Sequence, residues 1–124
     1  MKKSNKYILI VDDIHINRLL IKTIINSYGY EHIHESFDGQ DAIKKVEDFN
    51  YDIIFMDIQM PIMDGIKATE YIRQKLNSKI PIIAITAYLD IETNDKGFND
   101  VVRKPYTVKK IKKILDTYLK TPNK

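Results

Sequence analysis

Residues 7–13 read YILIVDD, an apolar run that ends directly in two acids, Asp12 and Asp13. A short continuous apolar run of this kind is typical of a strand that is buried on both faces of a parallel sheet. In open α/β sheets, ligands bind outside the carboxyl ends of the strands. The two acids therefore stand where a binding site is expected.

Three later runs also end at polar or charged residues. The run IIFM precedes Asp57, the run IIAI precedes Thr86, and the run VVR precedes Lys104. Because the carboxyl ends of parallel strands share one edge of the sheet, we expect these three side chains to meet the acid pair there.

Segments of helical spacing separate the apolar runs. Helices are predicted over 15–28, 39–48, 66–76, 89–97 and 107–120, and a second, more exposed strand is predicted around 32–34. The inward stripe of the first helix is expected to hold Leu19, Leu20, Ile24 and Ser27, and that of the last helix to hold Val108, Ile111, Ile114, Leu115, Tyr118 and Leu119. Five strands alternating with five helices predict an α/β fold with a parallel sheet and right-handed crossovers. We expect one domain over residues 1–124.

Composition excludes several classes of protein. A net charge of +3 is too small to argue for direct binding of nucleic acid. The absence of cysteine excludes disulfides, thiolate metal sites and cysteine nucleophiles. No apolar run approaches the roughly 20 residues that span a bilayer, and none resembles a secretory signal. These features predict a cytoplasmic protein without a membrane segment.

Three crowded acids favour a hard cation with oxygen ligands, Mg²⁺ above all, because the carboxylates otherwise repel one another. Asp57 stands alone at its strand end and is predicted to be the nucleophile that attacks a phosphoryl group. Asp13 is predicted to bind the metal directly, Asp12 to hold metal-bound water, and the carbonyl of Gln59 to add an oxygen ligand.

Lys104 and Thr86 complete the predicted chemistry. The lysine ammonium would pair with one phosphoryl oxygen, and the threonine hydroxyl would donate a hydrogen bond to another. Each residue also has a structural interpretation, and Asp13 in particular could cap the helix that begins near His15. The coincidence of suitable groups at four strand ends favours the functional interpretation.

The motifs resemble the receiver domain of two-component response regulators over nearly the whole chain. The matching segments are residues 8–13, 56–65 and 85–87, together with Lys104-Pro105. The resemblance implies a doubly wound, flavodoxin-like sheet in the order 2-1-3-4-5, a Mg²⁺ requirement, and phosphotransfer to Asp57 from a histidine kinase or a histidine phosphotransfer domain. It also implies a cis Lys104-Pro105 bond that directs the lysine towards Asp57. Asn17-Arg18 and the Gln-Met-Pro stretch resemble receivers of hybrid kinases and phosphorelays.

Two features depart from the family pattern. The interval from Thr86 to Lys104 is 18 positions, about one helical turn shorter than is usual, which predicts a shortened fourth helix. Val101 occupies the position where family members usually carry a switch tyrosine or phenylalanine. The usual coupling of Thr86 to an aromatic ring cannot operate in that form, although Tyr88 or Tyr106 could substitute for the ring.

Other functions remain as alternatives. A phosphatase of the haloacid dehalogenase type would need an acid two residues after Asp57, where Gln59 stands. In a flavodoxin-like cofactor site the loop after the first strand holds a phosphate group, which Asp12-Asp13 would repel. A docking domain that keeps the fold but is not phosphorylated is the main alternative. We expect no enzyme activity beyond self-directed phosphotransfer and autodephosphorylation, and the sequence leaves the oligomeric state open.

Overall fold

Strands and helices alternate along the chain in the order that the apolar runs predict. The structure is a computed structural model that describes residues 4–87 and 97–119. Its elements are β1 (Ser4–Val11), α1 (His15–Ser27), β2 (Tyr30–Ser36), α2 (Gly39–Asp48), β3 (Ile53–Asp57), α3 (Gly65–Gln74), β4 (Ile82–Thr86), β5 (Asp100–Arg103) and α4 (Val108–Leu119). Apart from Gly97, the short helix predicted near 89–97 lies outside the described residues, as does Tyr88, so five helices stay a prediction.

The five strands form one parallel sheet in the order β2-β1-β3-β4-β5, which confirms the predicted topology. The register aligns the carboxyl ends of the central strands. Val11 pairs with Met56, and Asp57 pairs with Ile85. The residues that follow β1 therefore lie beside the end of β3.

The central strands bury side chains on both faces of the sheet. Ile8 and Ile10 of β1 pack with Phe55 of β3 in a core that α1 and α4 cover. The alternate residues Leu9 and Val11 pack in a second core against α2 and α3. Because successive strand residues point to opposite faces, a strand covered on both sides must be apolar throughout. This explains the unbroken apolar runs.

Local signals define where several helices begin and end. The side chains of Asp38 and Asp64 accept hydrogen bonds from the N–H groups of Asp41 and Lys67, which caps α2 and α3. Gly29 follows α1 with φ +95°, a left-handed conformation that glycine adopts readily. None of the helices in the described ranges is long and apolar enough to cross a membrane.

The predicted inward face of α1 is confirmed at Ile24 and wrong at the other three positions, Leu19, Leu20 and Ser27. Leu19 and Leu20 are 45% and 52% exposed, and α1 instead buries Ile21, Ile24 and Ile25. The helix carries apolar residues on more than one side, so that spacing alone does not decide which side meets the sheet. In α4, Val108 is also exposed at 50%, because the buried stripe begins one turn later at Ile111.

Arg73 joins three segments beneath the end of α3. Its guanidinium donates to the carbonyls of Gly97, Ser78 and Ile80 at 2.6–3.1 Å and to the Oδ1 atom of Asn99 at 2.8 Å. The same Asn99 oxygen accepts from the N–H of Ile82 at the start of β4. Arg73 thereby ties the α3–β4 connection to the chain that enters β5.

Replacing Arg73 with methionine should destabilise the fold by about 2–4 kcal/mol, because several carbonyls would lose their hydrogen-bond donor. Urea unfolding followed by circular dichroism would measure the change. Lys67→Met is the matched control, since it removes an exposed positive charge from the same helix. Equal stability of the two variants would contradict this role of Arg73.

Candidate functional site

Four strand ends meet at one edge of the sheet, as the sequence predicts. Asp12 follows β1, Asp57 ends β3, Thr86 ends β4, and Lys104 follows β5. The backbone N–H of Lys104 donates to the carbonyl of Thr86 at 2.8 Å, so the loop after β5 is held against β4.

Three carboxylates converge at this edge. Asp12, Asp13 and Asp57 each offer one oxygen, and these oxygens all lie within 4.8 Å of one another. Asp12 and Asp57 are 1% and 2% exposed, whereas Asp13 is exposed. Two of the three acids are therefore removed from water, and the third lies at the mouth of the site.

Lys104 supplies a positive charge to the acid cluster. Its Nζ atom lies 3.5 Å from Oδ1 of Asp57 and 4.0 Å from Oδ2 of Asp12. These separations suit an ion pair and exceed the usual length of a hydrogen bond. The Lys104-Pro105 peptide bond is cis, as the family resemblance implies.

Burial perturbs both inner acids. It raises the pKa of Asp57 from 3.8 to about 6, with the charge of Asp12 acting in the same direction and that of Lys104 opposing it. Burial also raises the pKa of Asp12, against the hydrogen bond from the N–H of Ile14 and the charge of Lys104. The cluster is thus short of positive charge.

Two carboxylate oxygens are suited to a cation. Asp12 Oδ2 and Asp57 Oδ1 are buried and have no hydrogen-bond partner within the part of the chain that the structure describes. The other oxygen of Asp12 accepts from the N–H of Ile14 at 2.9 Å, which fixes the carboxylate. These two buried oxygens and the exposed Asp13 carboxylate are the kind of oxygen ligands that Mg²⁺ prefers.

The helix-cap interpretation of Asp13 is wrong. The residue at the N-cap of α1 is Ile14, and its side chain makes no capping hydrogen bond. The Asp13 carboxylate instead belongs to the acid cluster. Asp13 therefore contributes its carboxylate to the acid cluster and does not cap α1.

Gln59 and Thr86 contact each other beside the acids. The side-chain amide of Gln59, an exposed residue, donates to the Thr86 hydroxyl at 3.2 Å, and Thr86 is buried. Hydrogen bonding from the N–H of Gln59 also lowers the pKa of Asp57, though less than burial raises it. The Gln59 carbonyl as a metal ligand stays a prediction.

Glycine is required at the end of the loop that follows β3. The N–H of Gly65 donates to the carbonyl of Ile58 at 2.9 Å, which closes the loop. A Cβ atom at position 65 would collide with the carbonyl oxygen of Asp57. Any larger residue would displace the backbone that carries the Asp57 side chain.

Arg18 reaches the site although the strand-end pattern does not indicate it. Its guanidinium donates to the backbone carbonyl of Asp12 and to the carboxylate of Glu35. Two signals in the sequence indicate Arg18: its place in the first turns of the helix after the acid pair, and the family resemblance of the Asn17-Arg18 pair. The partner on β2 is distant in sequence and follows only from the fold.

A family match covers this site and most of the chain. Residues 8–116 match the family model described as the response regulator receiver domain. The match includes all the residues that form the acid cluster, together with Thr86 and Lys104.

Relatives of known identity contain similar segments. The osmosensing histidine protein kinase SLN1 of Saccharomyces cerevisiae is 40% identical over 120 residues, which are 90% of this chain and 10% of that protein. The sensor protein EvgS of Escherichia coli strain K12 is 40% identical over 92 residues, 74% of this chain and 8% of that protein. This chain therefore spans about a tenth of the length of these relatives.

Solved structures share the fold over nearly the whole chain. The receiver domain of the sensor histidine kinase PA1611 from Pseudomonas aeruginosa has 32% identity and a TM-score of 0.82, over 93% of this chain and 98% of that one. The response regulator TrrA from Thermotoga maritima has 32% identity and a TM-score of 0.83, over 92% and 99%. The chain therefore belongs to the response regulator receiver domains, the phosphoacceptor modules of two-component signalling systems.

Proposed function

We propose that Asp57 accepts a phosphoryl group from a phosphohistidine, in a reaction that requires Mg²⁺. The observation that carries this proposal is the cluster of three carboxylates with Lys104 Nζ at 3.5 Å from Asp57. Asp57 is the acid that ends a central strand and lies nearest the lysine. Asp12 and Asp13 precede α1 and approach the same point from the neighbouring strand.

The proposed reaction exchanges one bond to phosphorus for another. A carboxylate oxygen of Asp57 attacks phosphorus, the P–N bond of phosphohistidine breaks, and its electron pair remains on the imidazole. The product is an acyl phosphate, which water later hydrolyses to inorganic phosphate and the free carboxylate. Lys104 balances charge on the phosphoryl oxygens, and Thr86 Oγ donates to one of them.

Asp12, Asp13 and Asp57, with the carbonyl of Gln59, are the proposed ligands of Mg²⁺. When bound, the ion would neutralise the carboxylates and stabilise negative charge on the phosphoryl oxygens. Two relatives support this: the PA1611 receiver has a magnesium ion coordinated in its active site cleft, and TrrA was crystallised in complex with Mg²⁺ and BeF.

The proposed phosphodonor is a histidine kinase or a histidine phosphotransfer domain. Support comes from the histidine kinases among the relatives, which carry similar segments within much longer chains. The proposed chemistry is limited to phosphotransfer onto this chain and hydrolysis of the resulting acyl phosphate. A cytoplasmic location and a single domain over residues 1–124 stay predictions.

Acetyl phosphate with Mg²⁺ should add one phosphoryl group to the protein. Intact-mass spectrometry would show an increase that survives acid and is removed by hydroxylamine, as expected for an acyl phosphate. Asp57→Asn should abolish the increase, because an amide is not a nucleophile towards phosphorus.

Asp48→Asn is the matched control for this experiment, since Asp48 is an exposed acid at the end of α2. Its phosphorylation should equal that of the protein without substitutions. If the protein without substitutions shows no mass increase, the result would instead favour a docking domain that is not phosphorylated.

Asp57→Asn should also stabilise the metal-free protein at neutral pH. A folded-state pKa of about 6 against an ordinary value of 3.8 means that the folded protein binds more protons than the unfolded chain between these values. Stability therefore falls as pH rises through that interval, by at most about 3 kcal/mol from this group.

Urea unfolding in EDTA, followed by circular dichroism because the chain has no tryptophan, would measure this effect. The advantage of Asp57→Asn should be small near pH 4 and reach about 1–3 kcal/mol by pH 7. Asp48→Asn should show no such pH-dependent gain. A constant difference across the pH range would contradict an elevated Asp57 pKa.

A further inference from the structure

Arg18 connects Asp12, which follows β1, to the edge strand β2. Its side chain is 15% exposed, although it carries a permanent charge. One terminal nitrogen donates to the carbonyl oxygen of Asp12 at 2.8 Å, and Nε donates to Glu35 Oε1 at 2.9 Å. The other terminal nitrogen lies 3.4 Å from His15 Nδ1. The guanidinium of Arg18 thus bridges the backbone at Asp12 and the side chain of Glu35.

The carbonyl that Arg18 holds belongs to the peptide group between Asp12 and Asp13. This group is planar, so fixing its oxygen fixes the direction in which the chain continues to Asp13. The N–H of Asp12 is held as well, by a 3.1 Å hydrogen bond to the carbonyl of Ser36. The Asp13 side chain is exposed, so packing does not fix its torsions, and the backbone sets the direction in which this side chain leaves the chain.

Glu35 fixes Arg18 in turn. Glu35 lies in β2 opposite Ile10 of β1, and it also accepts from Lys22 at 3.4 Å. Burial raises the pKa of Glu35, but hydrogen bonds and charges of Arg18 and Lys22 outweigh it, and the net pKa is lowered. The carboxylate is therefore ionised at neutral pH and pairs with the guanidinium.

We propose that Arg18 is a positioning residue for the metal site, which orients the Asp12–Asp13 peptide so that both carboxylates face Asp57. This inference rests on the proposed Mg²⁺-dependent function and extends it to a residue that does not touch the ion. Groups that orient metal ligands typically change metal affinity by 10–100-fold when they are removed.

The simpler alternative is that Arg18 only ties α1 to β2. That role would lower stability without changing metal affinity. Charge alone makes a third prediction: loss of a cation near three carboxylates would strengthen Mg²⁺ binding. The three possibilities therefore differ in the direction in which Mg²⁺ affinity moves.

The experiment is a Mg²⁺ titration of the whole chain by calorimetry, supported by the Mg²⁺ concentration that gives half-maximal thermal stabilisation. Arg18→Met should weaken Mg²⁺ binding about tenfold. Lys22→Met is the matched control, because it removes a neighbouring charge that also contacts Glu35 but makes no contact with Asp12 in the described hydrogen bonds. Its affinity should be unchanged or slightly stronger.

Phosphorylation by acetyl phosphate gives a second measurement. The rate of Arg18→Met should be low at limiting Mg²⁺ and recover at saturating Mg²⁺, because the nucleophile and Lys104 are intact. If Arg18→Met fails to fold, Glu35→Gln provides the test, since it retains an acceptor for Nε but loses the charge. It should weaken Mg²⁺ binding in the same direction and to a smaller extent.

Unchanged or stronger Mg²⁺ binding in Arg18→Met, or in Glu35→Gln where the first variant does not fold, would overturn the positioning role alone. An unmodified protein that shows no Mg²⁺ binding would overturn the proposed function together with this inference. Mg²⁺ binding by the protein without substitutions therefore distinguishes the two failures.

Discussion

Negative charge held largely away from water is the constraint on which this site depends. Asp12 and Asp57 are almost fully buried, and their oxygens lie within 4.8 Å of each other and of Asp13. Two like charges at about 4 Å repel by about 4 kcal/mol where the effective dielectric constant is near 20. Among the described residues, the cation within ion-pair distance of Asp12 and Asp57 is the ammonium of Lys104. The edge of the sheet is therefore electrostatically unfavourable, and the proposed Mg²⁺ would relieve the repulsion.

The fold tolerates this repulsion because the strand segments that lead into the acids are buried on both faces of the sheet. Ile8–Val11 of β1 and residues 53–56 of β3 are fully buried between helices on both faces. Burial of each large apolar side chain contributes about 1.5–3 kcal/mol. The unfavourable charge is confined to the last residue of β3 and to residues that follow β1, so it lies at the edge of the sheet and outside the apolar core.

Sequence patterns predict the parts of this molecule that are set locally. The sheet order and the convergence of Asp12, Asp57 and Lys104 follow from apolar runs, their polar ends and the family motifs. The buried face of α1 does not follow from the sequence pattern, because apolar residues lie on more than one side of the helix. Packing against the sheet decides which side is buried. The contact of Arg18 with Glu35 joins α1 to β2 across 17 positions, and no local pattern encodes such a pair. Tertiary packing decides both features.

Val101 constrains how a change at Asp57 can be transmitted. In the family pattern an aromatic ring at this position turns inward, whereas valine has no ring to turn. Tyr106 is an aromatic residue that packs against the core near the site, and its pKa is raised to about 12 by burial and then by the charges of Asp12 and Asp57. The proposed acyl phosphate would carry more negative charge than the carboxylate it replaces, so the same ring lies in the field that this phosphorylation would alter. Tyr106 therefore stays a predicted substitute for the missing ring, as does Tyr88, which lies outside the described residues.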